Sequence, residues 1–193
     1  MSAAAAGAPG RIRIIGGSLR NSRLQVPTLP GLRPTAERVR ETLFNWLAPM
    51  IGGARCLDLC AGTGALGIEA LSRGAASVQF VERDARLAQA LRDNLARLKV
   101  AGGTVAALDA GSFLQGQPQA QDLVFLDPPF AQGLWAPLAQ SLEQGRWLAA
   151  GAWIYVESPR DAGPVLPAGW QLHRQGRAGE VHFALYRRSL PLS

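Results

Sequence analysis

The chain has 193 residues, 48% of them hydrophobic, and a formal net charge of +6. That length suits one α/β domain with a good core plus a small appendage, and with no apolar run near bilayer length it excludes a membrane-spanning helical protein. Residues 1–53 hold seven arginines and two acids, whereas the other 140 hold 13 basic and 12 acidic residues, so the positive charge sits in the N-terminal quarter, where it suits a phosphate backbone.

Residues 1–10 are Ala/Gly-rich and lack the basic and apolar regions of a signal peptide, which predicts a disordered tail and a cytoplasmic protein. Residues 11–26 alternate weakly (Ile12, Ile14, Leu19, Leu24, Val26) around Gly16-Gly17, the pattern of one or two short strands with arginines outward. Pro27 to Pro34 reads as a loop, and Thr35 as the N-cap of a helix. That helix carries Val39, Leu43, Trp46 and Leu47 on one face, with Arg38 and Arg40 expected to turn toward a ligand. Gly52-Gly53 ends the unit.

From residue 54 strands and helices alternate. Expected strands are Cys56 to Cys60, Val78 to Val81, Thr104 to Leu108, Asp122 to Leu126 and Trp153 to Val156, followed at once by Glu82 after the second, Asp109 after the third and Glu157 after the fifth. Expected helices are Ala65 to Arg73, closed by Gly74, one capped by Asp84 with Leu87, Leu91, Leu95 and Leu98 on one side, and one within Leu134 to Leu148. Trp170 to Arg174 and Val181 to Arg187 alternate and flank Gly176 and Gly179, as in an antiparallel hairpin. The series predicts a mainly parallel, doubly wound sheet with an antiparallel edge. The two cysteines, Cys56 and Cys60, are four residues apart along a strand, roughly 13 Å and too far for a disulfide; with no CxxC pair or third thiol, the zinc and iron–sulfur readings fail.

Two stretches carry chemistry. Asp58-Leu-Cys-Ala-Gly62-Thr-Gly64-Ala-Leu-Gly67 joins the first strand of this series to its helix, and its glycines let backbone approach a ligand. Glu82, 20 residues after Gly62, is placed to take both hydroxyls of an adenosine ribose. A nicotinamide dinucleotide would satisfy this much. Three features favour S-adenosylmethionine: Asp58 repels a pyrophosphate but suits ammonium and sulfonium charges, Asp109 can hold an adenine edge, and the chain closes in a hairpin rather than a sixth parallel unit. The plainer roles are loop cap for Asp58 and solvated turn residue for Asp109.

The second stretch, Asp127-Pro128-Pro129-Phe130, ends an apolar strand in a stiff loop. Asp127 and a proline carbonyl can accept hydrogen bonds and Phe130 can stack, which fits the exocyclic amine of a nucleobase. The plainer reading is a strand-end turn with an exposed acid.

Over residues 11–187 the chain resembles the RsmD family, bacterial methyltransferases acting on the N2 amine of a guanine (the guanine-966 type) in 16S ribosomal RNA. The resemblance is carried by Arg11-Ile-Arg-Ile-Ile-Gly-Gly17, Arg33-Pro-Thr35 with Arg38-Val-Arg-Glu-Thr-Leu-Phe-Asn-Trp46, Asp58 to Gly67, Phe80-Val-Glu82 and Asp127 to Phe130. It implies the seven-stranded class I methyltransferase sheet over 54–193, preceded by a basic N-terminal extension at 11–53 for RNA and cofactor-lid contacts. It also implies S-adenosylmethionine as methyl donor, S-adenosylhomocysteine as product, no metal, and small-subunit RNA within an assembling subunit as partner of a monomer. The family's cofactor contacts match Asp58, Gly62, Gly64, Glu82 and Asp109; their neighbours Cys60, Ala61, Thr63, Arg83 and Ala110, with Asp127, complete the expected cofactor site. Cys60 stands where the family usually has phenylalanine. The amine-binding residues match Asp127, Pro128 and Phe130, with Pro129 between them. Charge and position add Arg11, Arg13, Arg20, Arg23, Arg33, Thr35, Arg38 and Arg40 as expected RNA contacts. The runner-up activity is amino-methylation of DNA or another RNA; a nicotinamide-dependent oxidoreductase or an inactive nucleic-acid-binding protein of this fold is more distant.

Overall fold

The computed structural model describes residues 10–189. The expected disordered tail at 1–9 lies outside the described residues; Gly10, counted with that tail, instead opens strand β1 (Gly10–Arg13). β1 pairs antiparallel with β2 (Arg23–Val26) across a 3-10 turn at Gly17–Leu19. Helix α1 (Glu37–Leu47) follows.

The main sheet has seven strands, β3 (Arg55–Asp58), β4 (Ser77–Val81), β5 (Gly103–Ala106), β6 (Gln121–Leu126), β7 (Leu148–Pro159), β8 (Trp170–Ala178) and β9 (Val181–Arg188), in the order β5-β4-β3-β6-β7-β9-β8. β5 through β7 run parallel, and β9 lies antiparallel between β7 and β8. Strand order reverses between β3 and β6, which are central neighbours, so the loops leaving their carboxyl ends face one crevice. The helices between strands are α2 (Ala65–Ser72), α3 (Ala85–Arg97), α4 (Ala110–Phe113) and α5 (Trp135–Gln144). The sequence pattern did not show α4: its four residues, capped by Asp109, are too short to develop a helical period. β7 is longer than Trp153 to Val156 because β6 and β9 together provide pairing partners along it.

The sheet buries both faces. On one, Phe80, Phe125 and Tyr155 pack with Leu43 and Phe44 of α1, Ile14 of the N-terminal segment and Leu24 of β2. On the other, Val124, Leu126 and Ile154 pack with Trp135 and Leu138 of α5 and with Trp147. Every residue of α2 is buried, including Glu69 and Ser72, because the β1–β2 segment lies over it. Glu69 accepts from Ile15 N (2.9 Å) and Gly16 N (3.3 Å), and Ser72 Oγ accepts from Leu19 N (2.9 Å) while donating to Gly16 O (2.5 Å). Asn94 of α3 holds the backbone of Gln25 from both sides, accepting from its N at 3.0 Å and donating to its O at 2.9 Å.

Candidate active site

The glycine loop leaves β3 and enters α2. Gly64 has φ +79°, and a Cβ there would lie 2.2 Å from Leu91 Cδ1, so the position needs glycine for both conformation and packing. Gly62 has φ +55°, yet a Cβ there would meet only Leu32 Cδ1, at 3.8 Å. Open space therefore lies over Gly62, where the loop can admit a ligand. Glu82, just beyond β4, accepts from Gly62 N (2.7 Å) with one oxygen and from Asp84 N (2.9 Å) with the other. Each carboxylate oxygen keeps a lone pair, so Glu82 can hold the loop and still take two ribose hydroxyls.

Asp58 lies beneath the loop and is 1% exposed. Its Oδ2 accepts from Gly67 N at 3.1 Å, and its Oδ1 accepts no hydrogen bond among the described residues. Burial, opposed by the Gly67 bond and helped by the charge of Glu82, pushes its carboxyl up to about 7. A carboxyl so poised gains from a nearby cation, as the ammonium or sulfonium of S-adenosylmethionine would supply. Asp109 stands three residues past the end of β5 and caps α4, accepting from Ser112 N (2.9 Å) and Ser112 Oγ (2.6 Å), which together hold its carboxyl below the usual range. Ala110 begins that helix. Arg83 is exposed; with the Gln132 amide turned oxygen-inward, its guanidinium reaches that oxygen at 2.7 and 3.2 Å, joining the loop after β4 to the turn after β6. Cys60 is partly exposed and packs on the α5-side core; burial and the charge of Asp127 push its thiol far up.

Across the crevice, Asp127 follows β6 and is half-buried. Pro128 is buried beside it, and the Pro129 carbonyl accepts from Gln132 N (3.2 Å), closing a 3-10 turn that begins at Phe130. The Phe130 ring leans on Trp135 at 5.7 Å and keeps part of its surface open.

Glu157 was missed as a site residue. Leu126 pairs with Val156, which sets Asp127 beside Glu157 at the matching ends of two parallel strands. Glu157 is 7% exposed; its Oε2 accepts from Tyr155 OH (2.9 Å) and from Thr35 Oγ1 (3.1 Å), and the same Thr35 hydroxyl lies 3.5 Å from Asp127 Oδ2. Its backbone carbonyl accepts from Trp135 Nε1 at 2.8 Å. The two carboxyls are within hydrogen-bonding reach of each other. Burial raises both, and for Asp127 the charges of Glu157 and Asp58 add to it. The contact between them raises Asp127 and lowers Glu157, which Tyr155 and Thr35 also lower. The available signal was a second acid at the end of the neighbouring strand.

Two expectations change here. Thr35 is not the N-cap of α1; Ala36 occupies that position without a side-chain bond, and the Thr35 hydroxyl is drawn to the carboxyl pair instead. Arg40 does not face outward. It is 2% exposed, donating to Arg13 O (2.9 Å) and Thr35 O (3.3 Å) and lying 3.8 Å from Glu69. Arg40 shares one helical stripe with the buried Leu43, Phe44 and Leu47, a spacing that places it under α1. Arg13 is paired with Glu37. Arg11, Arg20, Arg23, Arg33 and Arg38 are exposed, and Arg33 is near enough to pull the Glu157 carboxyl down.

A family model described as Conserved hypothetical protein 95 matches residues 12–187. Ribosomal RNA small subunit methyltransferase D of Escherichia coli (strain K12) is 52% identical over 180 residues, covering 93% of this chain and 91% of that one. The chain belongs to the RsmD family. The RsmD-family protein of the same name from Haemophilus influenzae is 44% identical over 185 residues, covering 93% and 95% of the two chains. The solved structure of Escherichia coli yhhF superposes with a TM-score of 0.87 at 49% identity, covering 93% of this chain and 99% of that one. The seven-stranded order with its antiparallel hairpin is the class I methyltransferase fold, as the resemblance to the RsmD family implied.

Proposed function

We propose that the chain transfers the methyl group of S-adenosylmethionine to the exocyclic N2 amine of a guanine in small-subunit ribosomal RNA. The observation that carries the reading is Asp127, half-open on the crevice and facing the glycine loop from the neighbouring strand, with Pro128 and Phe130 fixed beside it. The names of the RsmD-family relatives support ribosomal RNA as the substrate.

The cofactor supplies an electrophilic methyl on a sulfonium. Asp58, Gly62 and Glu82 would hold it by ammonium, backbone and ribose contacts respectively. The chain's own work is alignment. The Asp127 carboxylate and the Pro128 carbonyl accept hydrogen bonds from the guanine amine and localise its lone pair toward the methyl. Phe130 stacks on a base that has left its own helix. Positive charge builds on the amine as the bond forms, and an ionised Asp127 stabilises it. Glu157, which accepts from Tyr155 OH and Thr35 Oγ1, holds the Thr35 hydroxyl 3.5 Å from Asp127 Oδ2. The amine then releases its surplus proton to Asp127. No base acts before the methyl moves, because the nitrogen becomes acidic only afterwards.

The test is transfer of labelled methyl to ribosomal RNA, naked and as subunits, followed by nucleoside analysis. N2-methylguanosine is expected; N6-methyladenosine, or label only on DNA, overturns the reading. Asp127→Ala should abolish transfer while weakening the cofactor little. Asp127→Asn keeps an oxygen but loses the charge, and should fall by about 10²-fold or more in single-turnover rate. An Asp127→Ala protein with near wild-type turnover removes Asp127 from the site.

A further inference from the structure

Asp127, Glu157, Phe183 and Gly176 form one row across the sheet. Leu126 pairs with Val156, Glu157 with Phe183, and Phe183 with Gly176. Residues paired in this way share a sheet face, here the face covered by α1. Three strand steps separate Asp127 from Gly176, or about 14 Å. Beyond the target-amine position the row therefore runs into a groove between α1 and the β8–β9 hairpin.

The groove is lined by Arg38, Thr42 and Trp46 from α1 and by Gln175, Gly176 and Arg177 from β8. Its floor is aromatic: Trp46 stacks on Phe183 at 5.5 Å and 27°. Gly176 makes room for that ring, since a Cβ there would lie 2.5 Å from Phe183 Cζ. Its rim is positive. Arg38 and Arg177 are both exposed, and among the described residues neither guanidinium has an ion-pair partner. Arg13, Arg55 and Arg86 are paired with Glu37, Asp122 and Asp84, whereas Arg11, Arg20, Arg23 and Arg33, like Arg38 and Arg177, make no ion pair among the described residues.

We propose that this groove holds the RNA strand next to the target guanine, with a flanking base against Trp46 and its phosphates against Arg38 and Arg177. The inference rests on the nucleic-acid substrate argued above and adds the path the strand takes. A positive groove with an aromatic floor is the construction that holds single-stranded nucleic acid, the charge tracking the backbone and the ring taking a base. A base extruded for chemistry leaves its neighbours splayed, so a second stacking position farther along the same row has a ready occupant. The same groove explains why α1 starts where it does: Thr35 reaches the carboxyl pair, and three residues later Arg38 reaches the rim.

Two measurements on the full chain test this. In the first, small-subunit ribosomal RNA carrying 4-thiouridine is photo-crosslinked and the attached peptides are mapped. Crosslinks to 38–46 and 175–183 are expected; crosslinks confined to other segments overturn the groove. In the second, Arg38→Glu, Arg177→Glu and the double variant are assayed on that RNA over a salt series. Each single change should raise KM about 5- to 10-fold and lower the salt slope by about 0.7 for every phosphate no longer neutralised. Cofactor affinity should not move. A double variant with wild-type KM and slope overturns the proposal. Crosslinks through these two segments in a protein that methylates some other base would keep the groove and overturn the guanine assignment instead.

Discussion

Asp127 shares its burial with Glu157, and the pair makes a sharper prediction than either acid alone. Glu157→Gln keeps an acceptor for Thr35 and Tyr155 and removes the negative charge beside Asp127. Most of the single-turnover rate should survive. The neighbouring charge is gone, so Asp127 ionises more easily and the acid limb of the pH–rate profile should move down. Glu157→Ala leaves two hydroxyls without their acceptor and should lose about 10²-fold. If Gln falls as far as Ala, the site uses the negative charge of Glu157 rather than the hydrogen bonds it accepts. Asp58 gives a separate pH test. Held at about 7 in the free protein, it binds a proton that a cationic ligand expels. Cofactor affinity should therefore rise as pH climbs from about 6 to 8, with proton release on binding near pH 6. Calorimetry in buffers of different ionisation heat reads this directly, and a heat independent of buffer would take Asp58 out of the ligand's reach. Asp127 to Phe130, the glycine loop and the Asp84 cap could be read from local spacing, because the strand or helix beside each fixes where it points. For Arg40 and Glu157 the spacing gave the position, under α1 and at a strand end, but the partners of Thr35, Arg40 and Glu157 lie 27 to 122 residues away in sequence and no local spacing shows them.

At the scale of elements, α2 behaves unlike a surface helix. It presents a carboxylate, Glu69, to no solvent at all, and the backbone of Ile15 and Gly16 with the guanidiniums of Arg40 and Arg73 surrounds that charge. Removing one member of a buried pair leaves the other unmatched, at a typical cost of about 3–5 kcal/mol. Glu69→Ala should lower the urea midpoint by that order, and Arg40→Ala should do likewise while leaving the salt dependence of RNA binding intact. A stable Arg40→Ala protein with a flattened salt slope would restore Arg40 to the RNA face. The strands of the main sheet and its helices other than α4 could be read from the apolar periods; the reversal of order between β3 and β6 could not, because a period marks an element and not its neighbours. The layer over α2 could not, since β1 and β2 are four residues each and their partners lie on α2 and α3.

At the scale of the whole molecule, the first described strands share a core with α1 and the sheet. A chain beginning at residue 27 would uncover α2 and strip Ile14, Leu24 and Val26 from that core. It should melt well below the full chain, or fail to fold, rather than lose RNA affinity alone; thermal unfolding followed by circular dichroism decides between these. The position of β9 carries a different consequence. It is inserted between β7 and β8, although β8 precedes it in the chain. During synthesis at about 5–20 residues per second, β7 stays an unpaired edge until residues 181–188 emerge. The part of that edge β9 covers, Trp153 to Pro159, opens with Trp-Ile-Tyr-Val, the kind of edge that recruits other chains. The row containing Glu157 and Phe183 closes with the same event, so a nascent chain halted before β9 has neither its finished groove nor a protected edge. The closing of the groove and the end of that edge's exposure to other chains thus fall within the same few residues of translation.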